Sequence, residues 1–277
     1  MKKDVLDITF LQDFSALFKS KMGVYVGNAI IKWLSVDKVN QVHANSCHLK
    51  GAEFTSALLS DPLIEVSYKI HNARYLDELP SGSFVTVSNH PIGSLDGIIL
   101  IDIFASRRPD FRVMVNGLLS NIWAMNDNFI SVNPNSGNQG PDIRNVNGIR
   151  ASLAHLSEGH PMGFFPAGAI SFGHNWMREI LDLPWTRNVI RLIRKSHAPV
   201  FPVYFDFRNS IYFYILGKIS WRIRTLRIPA EVFNKHGKTA HVHIGAPIPA
   251  STISSITDDD ELADFLYRQT YGAKVEE

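Results

Sequence analysis

Residues 84–97 read FVTVSNHPIGSLDG, and this stretch decides the fold. Residues 84–87 are β-branched or aromatic, which is typical of a short buried strand. The apolar segment 95–104 has the length of a helix. Pro91 and Gly93 lie between them and indicate a tight turn. A strand that turns directly into a helix is the repeating unit of an α/β sheet.

The same alternation of strands and helices continues along the chain. The clearest helical spacing of apolar residues lies at 143–156. Further strands are predicted at residues 111–115, 129–132, 162–165, 199–207 and 239–244, and further helices at 187–197 and after the acidic run 258–261. We therefore expect an α/β fold with a mixed, partly parallel sheet flanked by helices.

Residues 1–80 differ from the rest and predict an N-terminal helical extension, so we divide the chain into residues 1–80 and 81–277. Apolar residues between Phe10 and Phe18 are spaced as on an amphipathic helix. Residues 23–34 read GVYVGNAIIKWL and form a second apolar segment. This segment is equally compatible with a core helix and with a helix in a membrane interface, flanked by Lys32 and Trp33.

Composition narrows the class of protein. Of the 277 residues 45% are hydrophobic and 19% are charged, which is typical of a globular chain. The net charge of +2 is too small to indicate nucleic-acid binding. Cys47 is alone, so no intrachain disulfide can form, and a packing role is expected for it. We expect neither a signal peptide nor a transmembrane helix, so any membrane contact would lie at the surface.

One pair of residues can carry chemistry. His90 directly follows a predicted strand, and the carboxyl end of a strand is the usual place for a site in an α/β sheet. A turn through Gly93 could return the Asp96 carboxylate to the imidazole. Asp96 would then hold a ring N–H, and His90 would take a proton from a hydroxyl or an amine. The same residues also suit a plain helix start that Asp96 caps.

The stretch around His90 resembles the first sequence block of the glycerolipid acyltransferase superfamily. The form His-Pro-x-Gly-x-Leu-Asp-Gly is similar to a bacterial subgroup, the hemolysin-like acyltransferases, which includes enzymes that make ornithine and glycine lipids. Three further blocks follow in order at residues 128–134 (NFISVNP), 163–168 (GFFPAG) and 198–203 (APVFPV). The resemblance covers about residues 70–250, and it makes 81–277 the expected acyltransferase domain.

The resemblance implies a reaction and a set of site residues. A fatty acyl group would pass from an acyl thioester, on acyl carrier protein or coenzyme A, to the hydroxyl of a lysolipid, without a cofactor or a metal. His90 would be the base and Asp96 its orienting partner. The implied substrate-binding residues are Asn89, Pro91, Gly93, Ser94, Phe129, Asn133, Phe165, Pro166, Ala167, Gly168 and Ser171. The enzyme would work peripherally on the cytoplasmic face of the inner membrane.

Departures from the family pattern bear on the acceptor. Five residues separate His90 from Asp96, where most of the superfamily has four. Asn133 stands near the position of an arginine that contacts the acceptor phosphate, and Ala167 replaces a glutamate. These changes favour an amino-acid lysolipid over a glycerol phosphate. A 1-acylglycerol-3-phosphate O-acyltransferase remains the alternative, with Arg144, Arg150 or Arg187 as phosphate ligands, as does a non-catalytic lipid- or carrier-binding protein on the same scaffold.

Three other patterns in the sequence bear on function. Residues 178–227 carry ten basic and three acidic residues with interleaved aromatics, which favours contact with a membrane or an acidic carrier over RNA. His241 and His243 share a strand face, but no third metal ligand is suggested, so a structural role is expected. Ser171 is one place late for a nucleophile elbow, which makes a hydrolase the weakest reading.

Overall fold

The computed structural model describes residues 19–116, 122–132, 143–175 and 178–274. The predicted helix at residues 10–18 and the candidate residue Asn133 lie outside this part of the chain. Three helices come first: α1 (Lys21–Trp33), α2 (Val36–Ser46) and α3 (Gly51–Ser60).

The remaining elements alternate as the sequence predicts. The strands are β1 (Ser67–His71), β2 (Val85–Ser88), β3 (Arg112–Asn116), β4 (Phe129–Val132), β5 (Met162–Phe164), β6 (Phe172–His174), β7 (Glu179–Leu181), β8 (Val200–Asp206) and β9 (Thr239–Ile244). The further helices are α4 (Ser94–Ala105), α5 (Ile143–Ser157), α6 (Arg187–Ser196), α7 (Ile211–Ile219), α8 (Trp221–Leu226), α9 (Ile228–Phe233), α10 (Ala250–Ser255) and α11 (Asp259–Tyr271).

Seven strands form one sheet in the order β1-β9-β8-β2-β5-β3-β4. Every neighbouring pair in it is parallel except β8 and β9, which run antiparallel. The strands β6 and β7 form a separate antiparallel hairpin. The prediction of a mixed, partly parallel α/β sheet flanked by helices is therefore confirmed, and the observed sheet is mostly parallel.

Helices cover both faces of the sheet. On one face α3 packs against α4, whose middle is apolar on every side and buried. On the other face α5 and α11 pack against α6, and α11 also contacts β2 and β8. The central strand β2 is buried along its whole length, so its carboxyl end is held rigidly between two cores.

Several elements were not predicted, among them the strands β6 and β7 of the hairpin and the short helix α10. The edge strand β1 has the half-exposed sequence SYKIH, and a polar edge strand lacks the apolar run by which strands are recognised. The helices α7 to α9 fall in residues 211–233, for which no element was predicted. The proposed boundary after residue 80 stays a prediction; β1 on its amino side pairs with β9 on its carboxyl side.

The exposure of helix α1 bears on whether residues 23–34 form a core helix or a helix in a membrane interface. Gly27 is its buried residue, whereas Met22 and Tyr25 expose 77% and 78% of their surface. The core-helix alternative is therefore not supported. Among the described residues, no helix combines the length and the apolar character needed to cross a membrane.

Candidate active site

The end of β2 is locked to the neighbouring strand by Asn89. Its amide nitrogen donates to the carbonyl oxygen of Phe205 at 3.1 Å, and its amide oxygen accepts from the Phe205 N–H at 2.7 Å. Asn89 is 1% exposed. Both polar atoms of Asn89 are therefore used in holding β8, and its predicted contact with substrate stays a prediction.

The loop after His90 is held in one conformation. Gly93 has φ +103°, a value that L side chains rarely adopt, and a Cβ there would lie 2.8 Å from Cδ1 of Ile170. The Asn209 amide donates to the carbonyl oxygens of Pro91 and Ile92, at 3.3 and 3.0 Å. The tight turn predicted at Gly93 is present, and only a glycine fits there.

This turn brings Asp96 back to His90, as the sequence predicts. Asp96 is buried in the first turn of α4, and its Oδ2 lies 3.0 Å from Nδ1 of His90. The same oxygen accepts the N–H groups of Ile92 and Gly93, each at 3.0 Å. The ring N–H is not aligned as a hydrogen bond, so the contact is one of ion-pair distance. Asp96 thus caps the helix and faces the histidine at once.

A second carboxylate, which sequence reasoning missed, also supports His90. Asp182 accepts from the His90 N–H at 3.1 Å, from the Ser171 hydroxyl at 2.5 Å and from the Trp185 indole N–H at 3.1 Å. Burial raises its pKa above the ordinary value, partly offset by these donors. The hairpin of β6 and β7 places Ser171 and Asp182 side by side at its base. The available signal was an isolated acid between leucines in a basic stretch.

The loop that follows β5 forms the opposite wall of the site. The ring of Phe165 tilts against that of His90, with 4.3 Å between the centroids. The carbonyl oxygen of Pro166 accepts from Thr186, and Gly168 turns the chain with φ +64°. Ser171 N–H then donates to the His90 carbonyl oxygen at 2.8 Å. The third sequence block therefore meets the first one at the histidine.

The predicted site residues are not all brought together. Ser94 opens α4 beside the histidine loop, and Ala167 is buried in the turn after Phe165. Phe129 begins β4, three strands from β2 in the sheet order, so it does not join the histidine. The hydroxyl of Ser171 bonds Asp182 rather than His90, which is the wrong geometry for a serine nucleophile activated by that histidine.

Comparisons with known proteins identify the family. A family model described as "Acyltransferase" matches residues 25–276 of the chain. The chain belongs to this acyltransferase family. It is therefore an enzyme that transfers acyl groups.

Similar proteins cover nearly the whole of this acyltransferase. A lyso-glycine lipid O-acyltransferase of Phocaeicola vulgatus is 29% identical over 98% of the chain and 99% of its own length. One of Bacteroides thetaiotaomicron is 28% identical over 94% of the chain and 96% of its own length. The crystal structure of the 1-acyl-sn-glycerophosphate acyltransferase PlsC from Thermotoga maritima superposes with a TM-score of 0.48, at 13% identity, over 90% of this chain and 97% of that one.

The geometry suits acyl transfer. With Nδ1 of His90 facing Asp96, Nε2 on the other edge of the ring can take a proton from an acceptor hydroxyl. The side chain of His90 is 19% exposed, so a substrate can reach it, whereas Asp96 is fully buried. The amino end of α4 adds positive partial charge beside the position where a tetrahedral oxyanion would form.

Of the three arginines that were candidates for a phosphate ligand, the two with described side chains do not converge on this acyltransferase site. Arg187 pairs with Asp260 on α11, and Arg150 is exposed on α5. The side chain of Arg144 lies outside the described part of the chain. Within the described residues, no group of three or more potential ligands is arranged to hold a metal. Nδ1 of His241 lies 2.9 Å from Nε2 of His71, and the ring of His71 stacks on that of His243.

Proposed function

We propose that this acyltransferase moves a fatty acyl group from an acyl thioester to the hydroxyl of an amino-acid lysolipid, in membrane lipid biosynthesis. The observation that carries the proposal is the 3.0 Å approach of Asp96 to His90 in a loop fixed on both sides. The donor would be acyl carrier protein or coenzyme A, each of which presents the same thioester.

The reaction would be a single displacement. Nε2 of His90 takes the hydroxyl proton as the acceptor oxygen attacks the thioester carbonyl, and Asp96 stabilises the imidazolium. The tetrahedral oxyanion collapses to the new ester, the carbon–sulfur bond breaks, and the thiol leaves with the proton that His90 returns. An acyl-enzyme on Ser171 is not expected, because its hydroxyl donates to Asp182.

Two observations support an amino-acid head group. The relatives that match end to end are named for lyso-glycine lipid. In this chain Ala167, buried beside Phe165, stands where the superfamily has a glutamate. A site without that glutamate differs from one that handles a glycerol phosphate.

A membrane-facing role is supported by an exposed apolar face, defined here as the outer residues of α1, α7 and α8. Its most exposed residues are Met22, Tyr25, Ile211, Tyr212, Ile215, Ile219 and Trp221. The guanidinium of Arg227 lies over the rings of Trp33 and Tyr212, which joins α1 to α7. Such a face, with lysines on α1, suits the cytoplasmic surface of an inner membrane, where a lysolipid acceptor would be bound.

The test uses the purified full-length protein with acyl carrier protein and coenzyme A thioesters. Mass spectrometry of the product measures the transfer. We expect the kcat/KM for lyso-glycine lipid to be at least about tenfold above that for lysophosphatidate. A preference for lysophosphatidate would establish the glycerol-phosphate alternative. Vesicle binding without turnover on any lysolipid would establish the non-catalytic one.

A further inference from the structure

Arg224 is a buried arginine beside the active site that the reaction above does not use. It lies on α8 and is 4% exposed. Its guanidinium stacks on the ring of Phe172, 3.8 Å from the centroid, with Phe213 at 5.5 Å. Aromatic faces can hold a cation, but they do not neutralise its charge.

No carboxylate among the described residues forms an ion pair with Arg224. Its Nη1 and Nη2 reach the carbonyl oxygens of Ser171 and Ile170 at 3.4 and 3.3 Å, which are long contacts. Its Nε–H is buried and meets no acceptor. Burial lowers the pKa of Arg224, and the opposing effect of Tyr214 is smaller; no carboxylate contributes. By contrast, Arg187, Arg191 and Arg194 each pair with an aspartate.

Burying a charge without a counter-ion costs free energy, so an anion bound beside Arg224 would be stabilising. Arg224 contacts the backbone of Ile170 and Ser171, and Ser171 N–H donates to the His90 carbonyl oxygen. The backbone of residues 170–171 therefore connects the Arg224 guanidinium to His90, the proposed base.

The fold makes room for this side chain. A Cβ on Gly217 of α7 would lie 2.6 Å from Cδ of Arg224 and 3.3 Å from its Nε. A glycine inside a helix is less stable than an alanine. Gly217 therefore lowers the stability of α7 but leaves space for the Arg224 side chain.

We propose that Arg224 binds the anionic head group of the acceptor, the free carboxylate of an amino-acid lysolipid, while the acceptor hydroxyl faces His90. This inference rests on the proposed function and names the residue that would select its substrate. The fork of N–H groups on a guanidinium matches the two oxygens of a carboxylate. The charge would come from α8, not from the second sequence block, where Asn133 stands in place of the family's arginine.

The experiment compares two acceptors on the full-length protein: lyso-glycine lipid and its methyl ester, which lacks the charge. For the wild type we expect the ester to raise KM about tenfold or more, with a small effect on kcat. Arg224→Gln should raise KM for the acid to the level of the ester and abolish the discrimination. Arg268→Gln, an exposed arginine on α11, should keep the wild-type ratio.

A second variant keeps the test decisive if Arg224→Gln fails to fold. Gly217→Ala retains the charge but displaces the side chain, so it should shrink the ratio between acid and ester. Equal KM values for both acceptors in the wild type, or an unchanged ratio in both variants, would overturn the inference while leaving the proposed transfer intact. Wild-type use of lysophosphatidate with the same dependence on Arg224 would show a phosphate subsite instead. No transfer to any acceptor would end the proposed function and this inference together.

Discussion

The loop that carries His90 and the helices α7 and α8 meet at residues 170–171, but they treat polar groups in opposite ways. In and around the loop, Asn89, Asp96 and Asp182 each accept or donate at least two hydrogen bonds within the protein. On the helices, the buried Arg224 makes only long hydrogen bonds to backbone carbonyl oxygens and pairs with no carboxylate among the described residues. Apolar side chains there, such as Ile219, are exposed.

This difference separates two tasks. A base and its partner must be held in place before substrate arrives, since small misplacements lower rates strongly. A surface that receives lipid and an anionic head group is completed by those ligands. The comparison therefore predicts that changes in the loop alter kcat, whereas changes on α7 and α8 alter KM or membrane binding.

Apart from the His90–Asp96 pair itself, the largest effect on the loop side is expected from its backbone. In Gly93→Ala the alanine would have to adopt the positive φ of Gly93, and its Cβ would clash with Ile170. We therefore expect His90 to shift and kcat to fall about a hundredfold. Unfolding free energy should drop by about 1–3 kcal/mol. The matched control is Gly159→Ala, which has φ +91° but open space around it. Similar losses of kcat in both variants would contradict a role for the His90 loop.

The next effect tests Asp182. Asp182→Asn leaves a mismatched group among three donors, so we expect kcat to fall about tenfold while KM stays within about twofold. Asp102→Asn is the matched control, because Asp102 is buried and also accepts three hydroxyl groups, from Thr55, Ser56 and Tyr68. Steady-state kinetics and urea unfolding should show loss of stability in both variants and loss of kcat in the first alone.

A smaller effect should separate membrane binding from chemistry. Ile215→Asp places a charge on the exposed apolar face, and we expect vesicle co-sedimentation to weaken about tenfold. Turnover of detergent-dispersed acceptor should be unchanged. Val146→Asp, an exposed apolar position on α5, is the control and should bind vesicles like the wild type. Equal vesicle binding by both variants would remove the face defined by α1, α7 and α8 from membrane contact.

The smallest effect on activity is expected outside both regions, at His243 on β9. Burial and neighbouring histidines lower its pKa from 6.5 to about 4. The folded state therefore binds fewer protons than the unfolded state between these values, so this contribution to stability is present above pH 6.5 and is lost as pH falls toward 4. His243→Phe should flatten that decline in urea unfolding. Parallel stability curves for wild type and variant would contradict it.

Much of the fold and the pair at its centre could be predicted from the sequence. Their signals are local: a β-rich run, a proline and a glycine, and an aspartate six residues after His90. Asp182 could not be predicted as a support, because it lies 92 positions after His90 in the chain. Arg224 looked like one of many basic residues, since the absence of an acid beside it is a tertiary property. The strand β1 was missed because its half-exposed residues show no apolar run.

The most direct test of the central claim is a double-mutant cycle on acyl transfer by His90→Ala, Asp96→Asn and the double variant, with folding checked by circular dichroism. Asn at residue 96 keeps an oxygen for the Ile92 and Gly93 N–H groups, so the loop should persist. If Asp96 acts through His90, we predict that His90→Ala lowers kcat by about 10²–10⁴-fold and that the double variant is no slower than His90→Ala. Multiplying losses, or normal transfer by His90→Ala, would contradict the account.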